Sequence, residues 1–434
     1  MTVIAVLTLL AFEAADASAQ QRLTMDQVVQ MAVASSPALK AARARARGNE
    51  EQAKSLRGRL LPSINLSDEY QRWDSRFTVN FPIPSMPLSI PARDLSTNAF
   101  VVAAGQPLLG LLHLSSDHSA LSTAAEAATF DVKTIEANLR DEVRAEFLRM
   151  FEARTLAGVA HASQDQLAEQ IAVAKEKLAA GVLTPADVLR LNVAAANARQ
   201  QEIQAAAAEQ VSRATLLVAI GRESEDQAVS FVEPATPESA DAAEGDLAPL
   251  VAKALHDRSE IHSATLAAKA ANASSRSRTY DLLPDVDLEA GYMHMTGQAF
   301  VKTDSAFIGL KAGWQIWDWG ARWFQHRAAE SQAVAAQAQA DDARRRVETD
   351  VAAKLANVRA TASALETGRT TIGSAEEAYR VTTVLLAAGS ANTTDLLDAQ
   401  SALTQARLNF ARARYEYALA RIRLSRALGD QGTR

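Results

Sequence analysis

Two hydrophobic periodicities occur along this chain, and each predicts a different kind of element. In one kind of segment, apolar residues occupy every second position, as Val286, Leu288, Ala290 and Tyr292 do, with Asp287 and Glu289 between them. Alternation over about ten residues is typical of a transmembrane β-strand with its apolar side outward and its polar side inward. The predicted strands span residues 64–73, 98–106, 286–295 and 306–317.

Helical periodicity fills most of the remaining sequence. Two first helices (25–59 and 247–280) are predicted to break near Ser36-Pro37 and near 258–259, because proline favours the first position of a helix. Each ends at a Leu-Pro pair. Two long runs without proline and two return helices follow, predicted at 111–179, 321–388, 184–220 and 392–428. At 1.5 Å per residue, a run of about 70 residues spans roughly 100 Å, which suits a tube that crosses the periplasm.

The last helix carries a heptad repeat. Large residues recur every seventh position, and an alanine follows each of them by three. Such a seam predicts close coiled-coil packing. The large residues are Leu396, Leu403, Phe410, Tyr417 and Leu424. The corresponding stripe of the first return helix is degraded, so the two return helices are predicted to meet different surroundings.

The chain is an internal duplication. At an offset of 222, Leu61-Pro62 falls on Leu283-Pro284 and Tyr70 on Tyr292. At an offset of 208, Gly181 falls on Gly389 and Asp187 on Asp395. The two offsets differ by 14 residues, which predicts one Pro-rich loop in the first half between Tyr70 and Phe100. The repeats are assigned to residues 20–221 and 247–429, joined by an acidic connector at 222–246 and followed by a tail at 430–434.

Composition narrows the possible functions. The 434 residues carry a net charge of −6 with a pI of about 5.8, which argues against a general nucleic-acid binder. The chain has no cysteine, so disulfides, thiolate metal sites and a cysteine nucleophile are excluded. Residues 1–19 are predicted to be a signal peptide, since an apolar run precedes Ala17-Ser18-Ala19, although no basic residue precedes that run.

The turn between each long helix and its return helix has a compact stop-and-start pattern. Gly181 suits a left-handed helix end, Thr184 an N-cap, and Asp187 the third helical position. Gly389, Asn392 and Asp395 repeat the pattern. These residues are predicted to reverse the chain, and docking of a partner is a second, additional interpretation.

The segment from Ala388 through Asn392 and Asp395 to Leu403, continuing to Tyr415-Glu-Tyr and Gly429, resembles the TolC-type outer-membrane efflux family. The Leu-Pro helix ends, the paired strands and the duplication resemble it as well, so the likeness covers nearly the whole chain after residue 19. It implies a mainly α fold with a small β part: two repeats of helix, two strands and long helical hairpin. It further implies a homotrimer whose twelve strands form one outer-membrane barrel, continued by a periplasmic α-helical barrel. Four strands alone cannot close a barrel, which independently points to at least two chains.

The resemblance also implies partners and site residues. The partners are a periplasmic adaptor protein, an inner-membrane pump of the RND or ABC type, and outer-membrane lipid; nucleic acid is not among them. The adaptor would dock at the two hairpin tips, and acidic side chains would ring the periplasmic entrance. The tip positions are Gly181, Val182, Leu183, Thr184, Asp187, Gly389, Ser390, Ala391, Asn392 and Asp395, and the entrance positions are Asp395 and Asp398.

No sequence motif of an enzyme, cofactor or metal site was found, so the chain is expected to be no enzyme and to need no cofactor. The four tryptophans Trp314, Trp317, Trp319 and Trp323 suit an interfacial aromatic belt, or simply packing at a junction. Two functions remain open: a passive exit duct of a tripartite efflux or type I secretion system, and a pore-less periplasmic coiled-coil scaffold. The sequence does not distinguish drugs, metals or polypeptides as cargo.

Overall fold

The computed structural model describes residues 21–82, 88–240 and 245–430. The predicted signal peptide, part of the Pro-rich loop and nearly all of the predicted tail lie outside these residues. The chain divides into two compact units. One comprises the segments Met1–Leu39, Ile135–Asp257 and Glu348–Arg434, and the other Lys40–Thr134 and Arg258–Val347.

Helices dominate the described residues, and the order of helix, strands and long helical hairpin occurs twice, as predicted. The two long helices have 70 and 67 residues. The helices are α1 (Met25–Ser35), α2 (Pro37–Arg59), α3 (Gly110–Ala179), α4 (Pro185–Ala219), α5 (Leu247–Asp257), α6 (Ser259–Tyr280), α7 (Ala321–Ala387) and α8 (Thr393–Ala427).

The break between α1 and α2 has a local cause. Ser36 precedes a proline and is extended, with φ −61° and ψ 116°, because the proline ring disfavours helical backbone in the residue before it. The Ser36 hydroxyl accepts a hydrogen bond from the Leu39 N–H at 3.3 Å, so the residue that ends α1 also caps α2. At the other end of α1, Thr24 and Gln27 form a capping box.

The second unit contains the main sheet. Its strands are antiparallel in the order β2-β4-β6-β7, and β3 pairs with β4 off this path. The strand bounds are β2 (Ser63–Arg72), β3 (Phe77–Phe81), β4 (Leu88–Pro107), β6 (Asp285–Gln298) and β7 (Asp304–Gly313).

The prediction of a 14-residue loop in the first half was wrong in part. Phe77–Phe81 forms β3, and the predicted strand at 98–106 extends back to Leu88, so the insertion carries a β-hairpin. Proline is disfavoured inside a sheet because it has no N–H to donate. Pro91, however, lies where β4 pairs only with β3, since pairing with β6 begins at Arg93. A missing N–H costs little on such an unpaired side.

The prediction of a strand at 306–317 was also wrong at its end. The strand β7 begins at Asp304 and ends at Gly313, which pairs with Asp285, the first residue of β6. Beyond that position β7 has no partner strand, because Pro284 and the end of α6 precede β6. Residues 314–317 therefore leave the sheet, although their alternation continues.

The first unit holds a small sheet that the sequence did not predict. Strand β5 (Val229–Phe231) belongs to the acidic connector and pairs in parallel with β1 (Gln21–Leu23). Val229 and Phe231 are buried in a cluster with Phe147, Phe151 and other apolar residues of α1, α3 and α4. The connector thus contributes to the core, because its two apolar residues are spaced to point inward from one short strand.

Helix α8 is buried on two sides. The predicted heptad seam is confirmed: Leu396, Leu403, Tyr417 and Leu424 are buried, with Phe410 only partly so. A second stripe that includes Gln400, Leu408 and Tyr415 is buried as well. The Tyr415 hydroxyl lies 3.0 Å from the Thr155 hydroxyl of α3 and donates to Glu233 at 3.2 Å. Helix α8 therefore packs against α7 of its own hairpin and against α3 of the other hairpin.

We expect Leu403→Ala to destabilise this unit much more than Leu189→Ala. Leu403 is 2% exposed and packs among Ala375, Ala406 and Tyr379, whereas Leu189 on α4 is 63% exposed. Truncating a buried leucine costs about 2–5 kcal/mol, through lost burial and the cavity left behind. Thermal melting of the detergent-purified variants, followed by circular dichroism, measures the difference. Equal melting shifts in the two variants would contradict the packing of the α8 heptad seam.

Candidate functional site

One face of the main sheet is apolar across its strands. Antiparallel partners share a face, so the register aligns Leu66, Val102 and Tyr292 in one row across β2, β4 and β6. The next row aligns Ile64, Ala104, Ala290 and Ile308 across all four strands of the path. Seven large side chains on this face are exposed, in these two rows and in neighbouring ones: Ile64, Leu66, Tyr70, Leu288, Tyr292, Ile308 and Leu310.

The opposite face is polar or small. The row Ser63, Gly105, Glu289 and Gly309 crosses the same four strands, and Asp287 pairs with Lys311. Val101, Met293, Met295 and Phe307 are large apolar exceptions, and Phe307 is the only aromatic one of the four. It lies over Gly291, where an added Cβ would come within 2.8 Å of the phenyl ring. A sheet that is apolar on one side and polar on the other, with its apolar side uncovered in the single chain, is suited to a boundary between lipid and water.

Both outer strands of the sheet path have an unpaired edge within the described residues. β2 pairs only with β4, and β7 pairs only with β6. Their unpaired backbone N–H and C=O groups cannot remain so in the hydrocarbon of a bilayer, where each would cost several kcal/mol, about the cost of a buried unmade hydrogen bond. The chain therefore carries two open edges that need partners.

The first hairpin tip follows the stop-and-start pattern. Gly181 is left-handed with φ +74°, and the Val182 N–H donates to the Lys177 carbonyl at 2.9 Å, as in a Schellman motif. The Thr184 N–H and hydroxyl both donate to the Asp187 carboxylate, at 3.0 and 2.7 Å. These two bonds lower the pKa of Asp187. Their stabilisation is present above the ordinary carboxyl pKa and is lost as pH falls through the lowered value.

The second tip repeats this geometry with different side chains. Gly389 also has φ +74°, and the Ser390 N–H donates to the Leu385 carbonyl at 2.8 Å. The Asn392 side chain accepts from the Asp395 N–H at 3.0 Å, and the Asn392 N–H donates to the Asp395 carboxylate at 2.9 Å. The duplication therefore extends to the Schellman bond and to the bond from the cap N–H to the aspartate carboxylate, whereas the bond made by the cap side chain differs.

The tip residues are mostly exposed. Val182 has 70% of its surface in contact with solvent, a large fraction for an apolar side chain. Gly181, Thr184, Gly389, Ser390 and Asn392 are exposed, and Leu183, Asp187 and Ala391 are half-buried. The helix-capping role accounts for the glycine, the N-cap residue and the aspartate of each tip. It does not account for the exposed side chain of Val182.

The predicted entrance acids lie near the start of α8. Asp395 and Asp398 are both exposed and three residues apart, so they share a face of the helix. The equivalent residues of the first repeat are Asp187 and Arg190. The Arg190 guanidinium donates to the Thr394 hydroxyl at 2.9 Å, so the first tip reaches the second beside Asp395.

Sequence reasoning missed the polar contacts that join the two hairpins above the tips. The Gln400 amide donates to Gln166 at 2.8 Å, and the hydroxyls of Ser163 and Thr404 are 3.1 Å apart. Gln400 and Thr404 are four residues apart on α8, outside the heptad seam. One sequence signal could have revealed these contacts. It is a pair of polar residues four positions apart on a helix that also carries an apolar seam.

Within the described ranges, no group of three or more histidine, aspartate or glutamate side chains is placed to hold a metal ion. The same part of the chain has no helix that combines the length and the hydropathy needed to cross a bilayer. The Met293-His294-Met295 run is split between the two faces of β6. His294 contacts Asp304 at 2.8 Å on the apolar face, away from both methionines.

Solved structures share this fold at low sequence identity. The outer-membrane channel OprN is 18% identical with a TM-score of 0.80, and the match covers 94% of this chain and 90% of OprN. The outer membrane protein VceC of Vibrio cholerae is 17% identical with a TM-score of 0.80, covering 93% and 96%. The MtrE outer membrane channel of Neisseria gonorrhoeae is 18% identical with a TM-score of 0.76, covering 93% and 88%.

No curated protein matches the chain by sequence. A family model does: the one described as outer membrane efflux protein matches residues 28–222 and 250–430, which correspond to the two repeats. This family model spans most of the chain, and the family that it describes agrees with the duplicated hairpins and the amphipathic sheet. This protein belongs to the outer membrane efflux protein family.

Proposed function

We propose that this protein is the outer-membrane exit duct of a tripartite efflux or type I secretion system, through which substrates pass passively from the periplasmic side to the exterior. The observation that carries the proposal is the four-stranded sheet path with one apolar and one polar face, whose strands all connect to helices at one end. Family membership supports the outer-membrane location and the role in efflux.

The open edges support a trimer. The path β2-β4-β6-β7 supplies four strands per chain, and a closed transmembrane barrel needs at least about eight. Pairing β7 of one chain with β2 of the next satisfies both edges at once. Three chains would then supply twelve strands, with the apolar rows facing lipid and the polar rows facing the lumen.

The same sheet argues against a pore-less scaffold. A coiled-coil scaffold would explain the long hairpins and the heptad of α8. It gives no role to exposed Ile64, Leu66, Ile308 and Leu310 on one sheet face, which would be an aggregation hazard in water. A lipid-facing wall accounts for them.

The hairpin tips are our proposed docking surface for a periplasmic adaptor, which would in turn contact an inner-membrane pump. Exposed Val182 and Ser390 are part of the two Schellman turns, and the capping bonds of Asp187 and Asp395 fix the backbone that follows them. A preformed surface loses little entropy on binding, which favours its use in assembly.

Asp395 and Asp398 are the proposed periplasmic constriction. Both are exposed, and three chains would place six carboxylates at the entrance. Rings of acidic side chains favour the entry of cations. The first repeat would not contribute equally, because its second position is Arg190, whose charge is turned toward Thr394.

The constriction predicts ion selectivity. In planar bilayers, the wild-type channel should prefer cations, and the double variant Asp395→Asn, Asp398→Asn should move the reversal potential in a salt gradient toward zero. Asp187→Asn is the matched control, since it changes the equivalent carboxylate of the other tip. Unchanged selectivity in the double variant would contradict the constriction, and absence of conductance in every variant would contradict the duct.

Tip docking predicts a position-specific cross-link. Because the chain has no cysteine, Ser390→Cys and Ser363→Cys each introduce a single thiol. Both serines are exposed, but Ser363 lies 27 residues back from Ser390, about 40 Å along α7 at 1.5 Å per residue. A short thiol-to-amine cross-linker should capture the adaptor at position 390 and not at 363. Equal capture at both, or none at 390 in cells with active efflux, would overturn the assignment.

A further inference from the structure

The insertion that distinguishes the first repeat from the second forms a hairpin at the end of the sheet away from the helices. There β6 stops at Gln298, which pairs with Arg93, whereas β4 continues to Leu88. Residues 88–91 of β4 pair with β3 alone. We call β3 and these four residues the exit hairpin. It projects past the end of β6, on the side that faces the cell exterior in the proposed duct.

The contacts at the base of the exit hairpin show which way its side chains point. The Trp73 indole donates to the Thr97 hydroxyl at 3.2 Å, and the Arg93 guanidinium stacks over the Trp73 ring, 3.5 Å from its centroid. Thr97 lies on the polar face of the sheet, because it is an even number of residues from Gly105 in the same strand. Phe77 pairs with Arg93, and paired residues share a face, so Phe77 lies on the polar side as well.

Apolar residues occupy this side throughout the exit hairpin. Alternate residues of β3 share a face with Phe77, and the residues paired with them share it too. A register shift beside Phe77 brings even-numbered residues of β4 onto this side, which odd-numbered residues occupy within the sheet. We call it the apolar side of the exit hairpin, and it consists of Phe77, Val79, Phe81, Leu88 and Ile90.

The polarity of the exit hairpin is therefore the reverse of that of the sheet. Its other side carries Thr78, Asn80 and Ser89, where the sheet has its exposed isoleucine, leucine and tyrosine side chains. On the apolar side, Phe77 is 57% exposed and Phe81 is 41% exposed. The chain itself thus leaves these phenyl rings largely uncovered.

The reversed polarity points to a partner on the lumen side. The apolar side of the exit hairpin continues the face of the sheet that is assigned to the lumen, so lipid does not cover it. Exposed apolar surface concentrated on one side of an element indicates a contact with another molecule. The molecules that share the lumen axis with this hairpin are the other chains of the duct, and each brings the same apolar side toward that axis.

The exit hairpin is long enough to reach its copies. Twelve strands about 4.8 Å apart and tilted by about 40° close into a barrel with a radius of roughly 12 Å. The 5 residues of β3 span about 17 Å at about 3.3 Å per residue. Hairpins that lean inward from three points of such a rim would bring Phe81 and Leu88, at their far end, to the axis. The second repeat has only the short turn 299–303 at this end, so each chain supplies one hairpin and the contact is threefold.

We infer that the exit hairpins of three chains meet through their apolar sides over the extracellular mouth of the duct, and that this contact is a hydrophobic gate at the exit. The inference rests on the proposed function. It goes further by giving the inserted segment a partner, the same segment of two other chains, and a role separate from that of the periplasmic tips. Apolar constrictions block ions by excluding water, so separation of the three hairpins opens the exit.

Thiol accessibility tests the contact directly, because the chain has no cysteine. Phe81→Cys places one thiol on the apolar side, and Asn80→Cys is the matched control on the other side of the same strand. On intact cells, a membrane-impermeant maleimide should label position 80 several-fold faster than position 81, since the neighbouring hairpins shield the apolar side. Mild oxidation should join Phe81→Cys chains into covalent pairs and leave Asn80→Cys chains single.

The other outcomes separate the gate from the duct. Equal labelling rates at the two positions on intact cells would overturn the gate, and the extracellular location that the duct requires would stand. Slow labelling at position 81 without covalent pairs would show that a different molecule covers the hairpin, which also contradicts the gate. Labelling of position 80 only after the cells are broken would contradict the extracellular location and with it the duct.

Conductance distinguishes a gate from a contact that does not control flow. In planar bilayers, the double variant Phe77→Ser, Phe81→Ser should spend a larger fraction of time open than the wild type, because its hairpins no longer exclude water. Thr78→Ala combined with Asn80→Ala, on the other side of the same strand, should leave the open fraction unchanged. Thermal melting of both variants checks that the fold is retained. A folded, conducting Phe77→Ser, Phe81→Ser variant with the open fraction of the wild type would contradict the gate and leave the duct intact.

Discussion

The backbone hydrogen bonds of a β-sheet in lipid are the constraint on which this structure depends. The sheet path has an unpaired strand at each end, and its apolar face carries exposed isoleucine, leucine and tyrosine side chains. In hydrocarbon, neither edge can be left open. In the proposed duct, assembly of several chains into one barrel would satisfy both edges at once.

The duplication gives each chain two similar hairpins, and helix α8 makes them different. Its heptad seam packs within its own hairpin, while its second stripe, with Gln400 and Tyr415, meets α3 of the other hairpin. The equivalent helix α4 lacks that clean heptad and exposes Leu189 and Val193. The glycine turns and caps are nearly identical in the two repeats, but the charges beside them are not. Two carboxylates stand at the second tip, where the first has Asp187 and Arg190.

Much of this fold could be predicted from local chemistry. Glycine at each tip, a cap three residues later and aspartate at the third helical position determine the turns from within a few residues. Alternation likewise predicted which face of β6 is apolar. The β3 hairpin could not be predicted, because whether Pro91 is tolerated depends on which neighbour β4 has at that point. The end of β7 at Gly313 depends on where β6 begins, which is equally non-local.

The candidate functional surfaces also differ in whether local sequence was enough to predict them. The proposed docking tips and entrance acids were named from short sequence motifs and a family resemblance. The contact of the Arg322 guanidinium with the Asp318 carboxylate at the start of α7 was not predicted, although aspartate before a helix and arginine four residues later is a readable signal. Arg322 also donates to the Asp281 carbonyl at the end of α6 and to the Gln315 carbonyl, and the first of these contacts is not local in the sequence.

The central claim is that β7 of one chain pairs with β2 of the next in a closed ring of three. Single cysteines on both edge strands, one replacing Asn65 and one replacing Ser305, can be joined by a short bifunctional thiol reagent in native outer membranes. The account predicts a covalent product of three chains and no larger species. A ladder of ever longer products, or a product that stops at one or two chains under complete labelling, would contradict it.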